Sequence, residues 1–452
     1  MPLYLHFFYN FVLCNRKKRM YRLFITFLTA CLFTLSMAQT AKSDFTKSPA
    51  LSGGCFAAYP GPQQQRLTPA PKGKHPFHIS HYGRHGSRHH TKFEDYNYVL
   101  NALEKASREG ALTLLGEDVL QRVRLMRQHA EGHIGELTPL GASQHRDIAR
   151  RMYERFPQVF KGHATVDARS TLSVRCLLSM TNALLQLQQL NPRLQINTDA
   201  SQQTLYYMAH TDRKLTAAAA SAQNREVYDQ FCREHPTWQR LTGLLFCDTA
   251  YVNNYVNGER LCYYLFRLAA NLQSTDLALQ FSLYDLFTAD EIYDNWQKEN
   301  AYWYLGFGFC PMNGAEQPYG QRVLLRTIIQ QADSCLRLPH PSAMLRYGHD
   351  TMLLPLVCLL GINGYGQQFT DPNELDTHGW RDYQVIPMAG NLQFIFYRKN
   401  ASDDDPVFKV LLNEDEATLP LPTDMAPYYH WRDFRDHYLQ LIDAYDATHS
   451  DD

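Results

Sequence analysis

The chain has 452 residues, 45% of them hydrophobic and 13% aromatic, which is enough apolar material for a large core and too much for a disordered chain. Lys and Arg together number 44 against 45 Asp and Glu, a formal net charge of −1. With no basic excess to neutralise a phosphate backbone, nucleic acid is not expected as a partner.

At the N-terminus, Met20-Tyr21-Arg22 precedes an apolar run from Leu23 to Leu35, and Ser36-Met37-Ala38 supplies the small residues that a signal peptidase reads. The run falls short of the roughly 20 residues of a membrane anchor, so residues 1–38 are read as an export signal and no stable membrane span is expected. Translation could start at Met1 or Met20, since Arg16-Lys17-Lys18-Arg19 lies between them. A rival reading is lipidation at Cys31, because Leu28-Thr29-Ala30-Cys31 resembles a lipobox; the apolar stretch continuing past Cys31 argues against it. Removal of 1–38 leaves Cys55, Cys176, Cys232, Cys247, Cys262, Cys310, Cys335 and Cys358, an even count that permits disulfides without choosing among pairings.

Residues 39–74, rich in Pro, Gly and Gln, read as an irregular lead-in. His75 to Tyr82 reads as a strand broken at Gly83, and residues 94–131 carry helical spacing. Thr138-Pro139 is an N-cap followed by Pro at the first helical position, which opens a helix to about Phe156. Ala164 to Ala168 is a second short strand, followed by a helix ending near Asn191-Pro192. Residues 201–335 are helical in pattern; Ala343 to Tyr347 is a third strand with an apolar helix behind it. Asn391–Lys399 and Val407–Asn413 are alternating strands joined by an acidic turn. The order predicts an α/β fold: a central, mostly parallel sheet flanked by helices, built from residues 75–200 and 336–445 and interrupted by a helical cap at 201–335. Sites in such sheets lie at the carboxyl ends of strands, where helix N-termini attract anions.

Three strand-end loops carry the chemistry. Arg84-His85-Gly86-Ser87-Arg88 places two guanidiniums around one imidazole. The guanidinium fork suits phosphate oxygens, and neighbouring cations keep an imidazole neutral and nucleophilic. His349-Asp350 ends the third strand, and an acid beside a bound phosphate can hold its proton and act as a general acid. Ser170-Thr171 with Arg175 ends the second strand; Arg169 is a second candidate for that cation. His75, His78, His81, His89 and His90 crowd the first loop, yet a converging metal ligand set is not expected.

In combination these motifs resemble the histidine acid phosphatase family, whose marks are Arg-His-Gly-x-Arg, a later Ser-Thr-x-x-x-Arg and a late His-Asp. The Leu137-Thr138-Pro139-Leu140-Gly141 segment with Gln144 is similar to the family's Leu-Thr-x-x-Gly-x-x-Gln helix start. Leu286-Phe287-Thr288 with Glu291, Gly390-Asn391-Leu392-Gln393, and Lys409 to Glu414 are similar to its multiple inositol polyphosphate phosphatase and phytase branch. The resemblance implies a phosphoglycerate-mutase-like fold and hydrolysis of small phosphate monoesters, phytate foremost, in the periplasm or outside the cell, with no cofactor. It also implies His85 as the nucleophile, Asp350 as the general acid, and Arg84, Arg88, Arg175 and His349 as phosphate ligands. Two departures stand out. His90 occupies a position where the family usually has Pro, and His349-Asp350-Thr351 stands where the inositol polyphosphate branch usually has His-Ala-Glu.

Overall fold

The computed structural model describes residues 40–449. The expected export signal, with Met20 and Cys31, lies outside the described residues. A mixed eight-stranded sheet forms the centre, in the order β3-β2-β4-β1-β5-β6-β7, with β8 also paired to β6. The strands are β1 (His75–Arg84), β2 (Thr165–Ser170), β3 (Gln195–Asp199), β4 (Ser342–Gly348), β5 (Asn391–Arg398), β6 (Val407–Leu412), β7 (Asp415–Ala417) and β8 (Tyr429–His430). β1, β4, β2 and β3 run parallel, whereas β5 to β8 pair antiparallel. The expected α/β architecture is present, and its parallel character is confined to the half that bears the strand-end loops. The turn at 399–406 is short enough for a hairpin, which makes the other half antiparallel.

Both faces of the sheet are covered, so β5 and β6 are buried along their whole length and rich in apolar residues, whereas the edge strand β3 is polar. Along β5, Leu392, Phe394 and Phe396 pack against Leu353, Leu356, Phe434 and Tyr438 on one face. The alternate residues Ile395 and Tyr397 join Met152, Phe156, Leu184 and Leu187 on the other. Each fully buried side chain of this kind contributes on the order of 1.5–3 kcal/mol.

A second core is entirely helical. It draws Val99 and Leu103 from the Glu94–Arg108 helix, Val119 and Val123 from Leu114–His129, Leu261 and Leu265 from Gly258–Leu272, and Trp296 from Ala289–Phe307. Residues 94–130 thus pack with the middle of the chain, while Tyr304, Leu324 and Ile328 pack with the sheet. The boundary between cores therefore does not fall at residues 201 and 335. Periodicity identifies an apolar face but not its partner.

Other differences have local causes. β1 continues through Gly83 to Arg84 because it is a central strand, with Gly83 opposite Tyr347 on one side and Asn391 on the other. The helical stretch 94–131 is two helices, broken where Gly110 adopts a φ of 66°. The lead-in contains a helix, Ala41–Lys47, packed on the Ala289–Phe307 helix, and a 3-10 segment, Pro49–Phe56, packed on that helix and on Gly258–Leu272 and bonded to Arg84 through the Cys55 carbonyl. All eight described cysteines are free.

Candidate active site

Sheet register assembles the site. Arg84 lies opposite Gly348 across β1 and β4, and Ser170 lies opposite Tyr347 across β2 and β4, so three parallel strands end level with one another. The loops that follow them meet above the sheet. The Val174–Leu190 and Asp350–Leu359 helices begin there too, and their N-terminal N–H groups favour an anion.

The first loop is held by backbone contacts from distant segments. His85 N–H donates to Gly348 O at 3.0 Å, Ala389 N–H donates to His85 O at 2.9 Å, and Arg84 N–H donates to Gly390 O at 2.8 Å. Gln144 clamps Ser87 twice: its Oε1 accepts from Ser87 N–H at 2.9 Å, and its Nε2 donates to Ser87 Oγ at 3.0 Å. Gly86 N–H donates to Ser179 Oγ at 3.1 Å. A Cβ on Gly86 would collide with the backbone carbonyl of Gly141 at the start of the Pro139–Arg155 helix, so this crossing requires glycine. His90, in the position usually taken by Pro, is buried; Gly135 N–H donates to its carbonyl at 2.8 Å, and its ring sits between Phe56 and Tyr96.

His85 is 1% exposed, and its Nδ1–H donates to Gly86 O at 3.0 Å. That bond fixes the tautomer and leaves Nε2 with a free lone pair. Burial, then the charges of Arg84, Arg88 and Arg175, hold the imidazole well below its ordinary pKa. Both effects favour the neutral form of the ring.

The cations surround it. Arg84, fully buried, donates through Nη1 to Cys55 O at 2.5 Å and to Ile386 O at 2.6 Å, and its Nη2 lies 2.5 Å from Asp350 Oδ2. Arg88 donates through Nη1 to His89 O at 2.9 Å. The buried Nε atoms of Arg88 and Arg175 have no hydrogen-bond partner among the described residues. The His349 ring centroid is 5.7 Å from that of His85; its Nε2 is hydrogen-bonded to Thr171 Oγ1 at 3.2 Å, and burial first, then Arg175, Arg84 and Arg88, lowers its pKa to about 4 against the opposing effect of Asp350. Burial alone would raise the Asp350 pKa, but Arg84, Arg88 and His349 outweigh it, and the carboxyl is held below its ordinary value.

All six residues anticipated from the motifs thus converge: His85, Asp350, Arg84, Arg88, Arg175 and His349. Arg169 does not join them, since its Nη1 donates to Ala168 O and its charge is felt by Arg346. Sequence reasoning missed Cys55 and Phe56. Cys55 contributes a carbonyl to Arg84, and Phe56 presents its ring 5.7 Å from the Arg88 guanidinium. A backbone carbonyl leaves no trace in residue type, so no motif could have found it. Among the described residues no group of His, Cys, Asp and Glu is arranged to hold a metal ion. Chemically, the cup offers an imidazole nitrogen with a free lone pair, converging cations and one carboxyl, an arrangement suited to a tetrahedral dianion.

The chain matches the family model described as the histidine phosphatase superfamily (branch 2) over residues 82–413. It is similar to multiple inositol polyphosphate phosphatase 1 from Homo sapiens, with 22% identity over 396 residues, covering 80% of this chain and 78% of that one. Among solved structures it resembles the Bifidobacterium longum multiple inositol polyphosphate phosphatase in complex with inositol hexasulfate, with a TM-score of 0.69, 18% identity and coverage of 84% and 96%. It also resembles the phytase from D. castellii, with a TM-score of 0.60, 13% identity and coverage of 87% and 85%. At such identities the structural likenesses establish the fold.

Proposed function

Because the chain belongs to the histidine phosphatase superfamily, branch 2, we propose that it hydrolyses phosphate monoesters through a phosphohistidine at His85, with inositol polyphosphates as its substrates. The observation that carries this reading is the His85 Nε2 lone pair, left free by the Nδ1–H bond to Gly86 and ringed by Arg84, Arg88 and Arg175.

Nε2 attacks phosphorus in line, forming the P–N bond as the P–O bond to the alcohol breaks. Arg84, Arg88, Arg175 and His349 hold the three equatorial oxygens, and donors of this kind contribute about 3–4 kcal/mol each to transition-state stabilisation. Asp350 gives its proton to the leaving oxygen. An incoming phosphate dianion competes for the Arg84 guanidinium and repels the carboxylate, which raises the Asp350 pKa from its depressed value. Water then attacks phosphorus, its proton passes to Asp350, and phosphate leaves with His85 neutral again. The relatives' names support inositol polyphosphates as substrates. The His349-Asp350 pair, in place of His-Ala-Glu, favours broad-specificity acid phosphatase action as a second reading.

We also place the protein outside the cytoplasm on the strength of the apolar run ending at Ser36-Met37-Ala38. No described helix is long and apolar enough to cross a membrane.

The test is rapid acid-free quenching with a phosphorus-labelled aryl phosphate. The expected result is a labelled, acid-labile and alkali-stable adduct on the wild type and none on His85→Ala. Turnover by His85→Ala at a wild-type rate removes His85 from its role.

A further inference from the structure

A cleft of about 540 Å³ opens beside the cup on the helical side. It abuts the cup through Phe56, whose ring lies between the guanidiniums of Arg88 and Arg267, 5.7 and 4.8 Å from them. Glu299 joins the two from below: Cys55 Sγ–H donates to its Oε1 at 3.5 Å, and the Cys55 carbonyl in turn accepts from Arg84. Cleft and cup therefore share Phe56 as a common wall.

Its electrostatics do not suit a highly charged guest. Four cations line it, but three already face carboxylates: Arg233 with Glu226 at 2.7 Å, Arg260 with Glu94 at 3.0 Å, and Arg267 with Asp95 at 2.9 Å. Among the described residues Lys298 has no carboxylate at ion-pair distance, and its Nζ donates to Thr237 Oγ1 at 3.1 Å. Three carboxylates of the wall itself, Asp229, Glu259 and Glu299, face the same space, so the lining is only one charge positive. Phe56, Tyr228, Tyr263, Phe266 and Tyr302 add aromatic surface to the wall, beside smaller and polar residues such as Thr237 and Asn295.

Resting on the phosphatase reading above, we propose that this cleft receives the leaving group of an ester held in the cup and selects partly dephosphorylated inositol phosphates, such as a tris- or bisphosphate, over the hexakisphosphate. A free hydroxyl on the ring donates to a carboxylate such as Glu299, whereas a phosphate in its place meets like charge. The C–H face of the polyol ring packs on the tyrosines, and Lys298 is the cation for one further phosphate. The hexakisphosphate has no hydroxyl to donate and several phosphates left without a cation. A buried or half-buried carboxylate facing an unpaired phosphate is the costliest arrangement of all.

The experiment measures phosphate release by the purified full chain from myo-inositol hexakisphosphate, an inositol trisphosphate and an aryl phosphate under one set of conditions. The trisphosphate is expected to have a kcat/KM at least about tenfold above that of the hexakisphosphate. Glu299→Gln is expected to narrow that ratio several-fold, through KM for the hexakisphosphate. Lys298→Met is expected to raise KM for the trisphosphate several-fold more than KM for the aryl ester. Hexakisphosphate cleaved as fast as the trisphosphate, or a ratio unmoved by Glu299→Gln, overturns the selectivity while leaving the phosphatase reading intact. Failure to cleave even the aryl phosphate overturns both.

Discussion

The cup and the cleft both contain arginines, yet the two regions use them in opposite ways. In the cup, among the described residues, Arg88 and Arg175 keep buried Nε donors without partners, and Arg84 is matched by a single carboxylate, Asp350. In the cleft, each arginine is already neutralised from behind by Glu226, Glu94 or Asp95. Burying unmatched cations costs stability, and a fold keeps them where an anion or a developing charge repays it. Matched cations contribute shape and packing. On the proposed reading, the comparison separates residues that would act on any phosphate ester from those that would choose among esters.

The sharpest way to break it is to neutralise one cation in each region. Arg175→Met is expected to lower kcat/KM by about 10²–10³ for every ester alike, whereas Arg260→Met changes any one ester less than about threefold. An equal loss for the two variants in steady-state assays would erase the distinction.

Asp350→Asn comes next. It is expected to slow alkyl esters, whose alcohols leave poorly, by about 10²–10⁴, and an activated aryl ester only a few-fold. A plot of rate against leaving-group pKa checks this, and equal losses would leave Asp350 as a charge rather than an acid.

The acid limb of the pH profile gives a finer distinction. His85 is held below its ordinary pKa first by burial and then by cationic neighbours, so the limb is expected well below pH 6.5. Removing the Arg175 charge raises the His85 pKa and moves the limb for an activated ester to higher pH; Lys298→Met leaves it in place.

The smallest effect concerns the seam between the regions. Asp382, fully buried, accepts from Trp296 Nε1 at 2.8 Å, and burial first, then Glu299, raises its pKa to about 7. The folded state therefore holds a proton that the unfolded chain releases near pH 4. Stability from this group is fully present below that range and falls as pH rises toward 7. Thermal unfolding is expected to show a midpoint that declines across this window, and a flatter profile for Asp382→Asn.

Much of the cup was legible in the sequence because its chemistry resides in side chains that few other tasks require together. Arg84, His85 and Arg88 share one loop, and the strand patterns before Thr171 and His349 place the other two at the same sheet edge. The seam was not legible. Cys55 acts through a carbonyl and Phe56 through its position, so a segment of Pro, Gly and Gln looked irregular. β3 was equally silent, since Gln195, Asn197 and Thr198 make a polar strand at the sheet edge. The cleft was invisible for a third reason. Arg267 and Glu299 belong to helices whose faces show periodicity, and only packing reveals that Arg267 turns to Asp95, 172 positions earlier.

The Arg84 guanidinium also sets a timetable for synthesis. One of its bonds reaches the Ile386 carbonyl, 302 positions further along, and the strand that carries it is flanked by β4 and β5. A growing chain has the Arg84–Arg88 loop early but cannot make that bond to Ile386 until nearly all of the polypeptide has emerged. The complete cup is thus a product of the whole fold, and a chain that stops before Ile386 carries the Arg-His-Gly motif without the carbonyl that holds its first arginine.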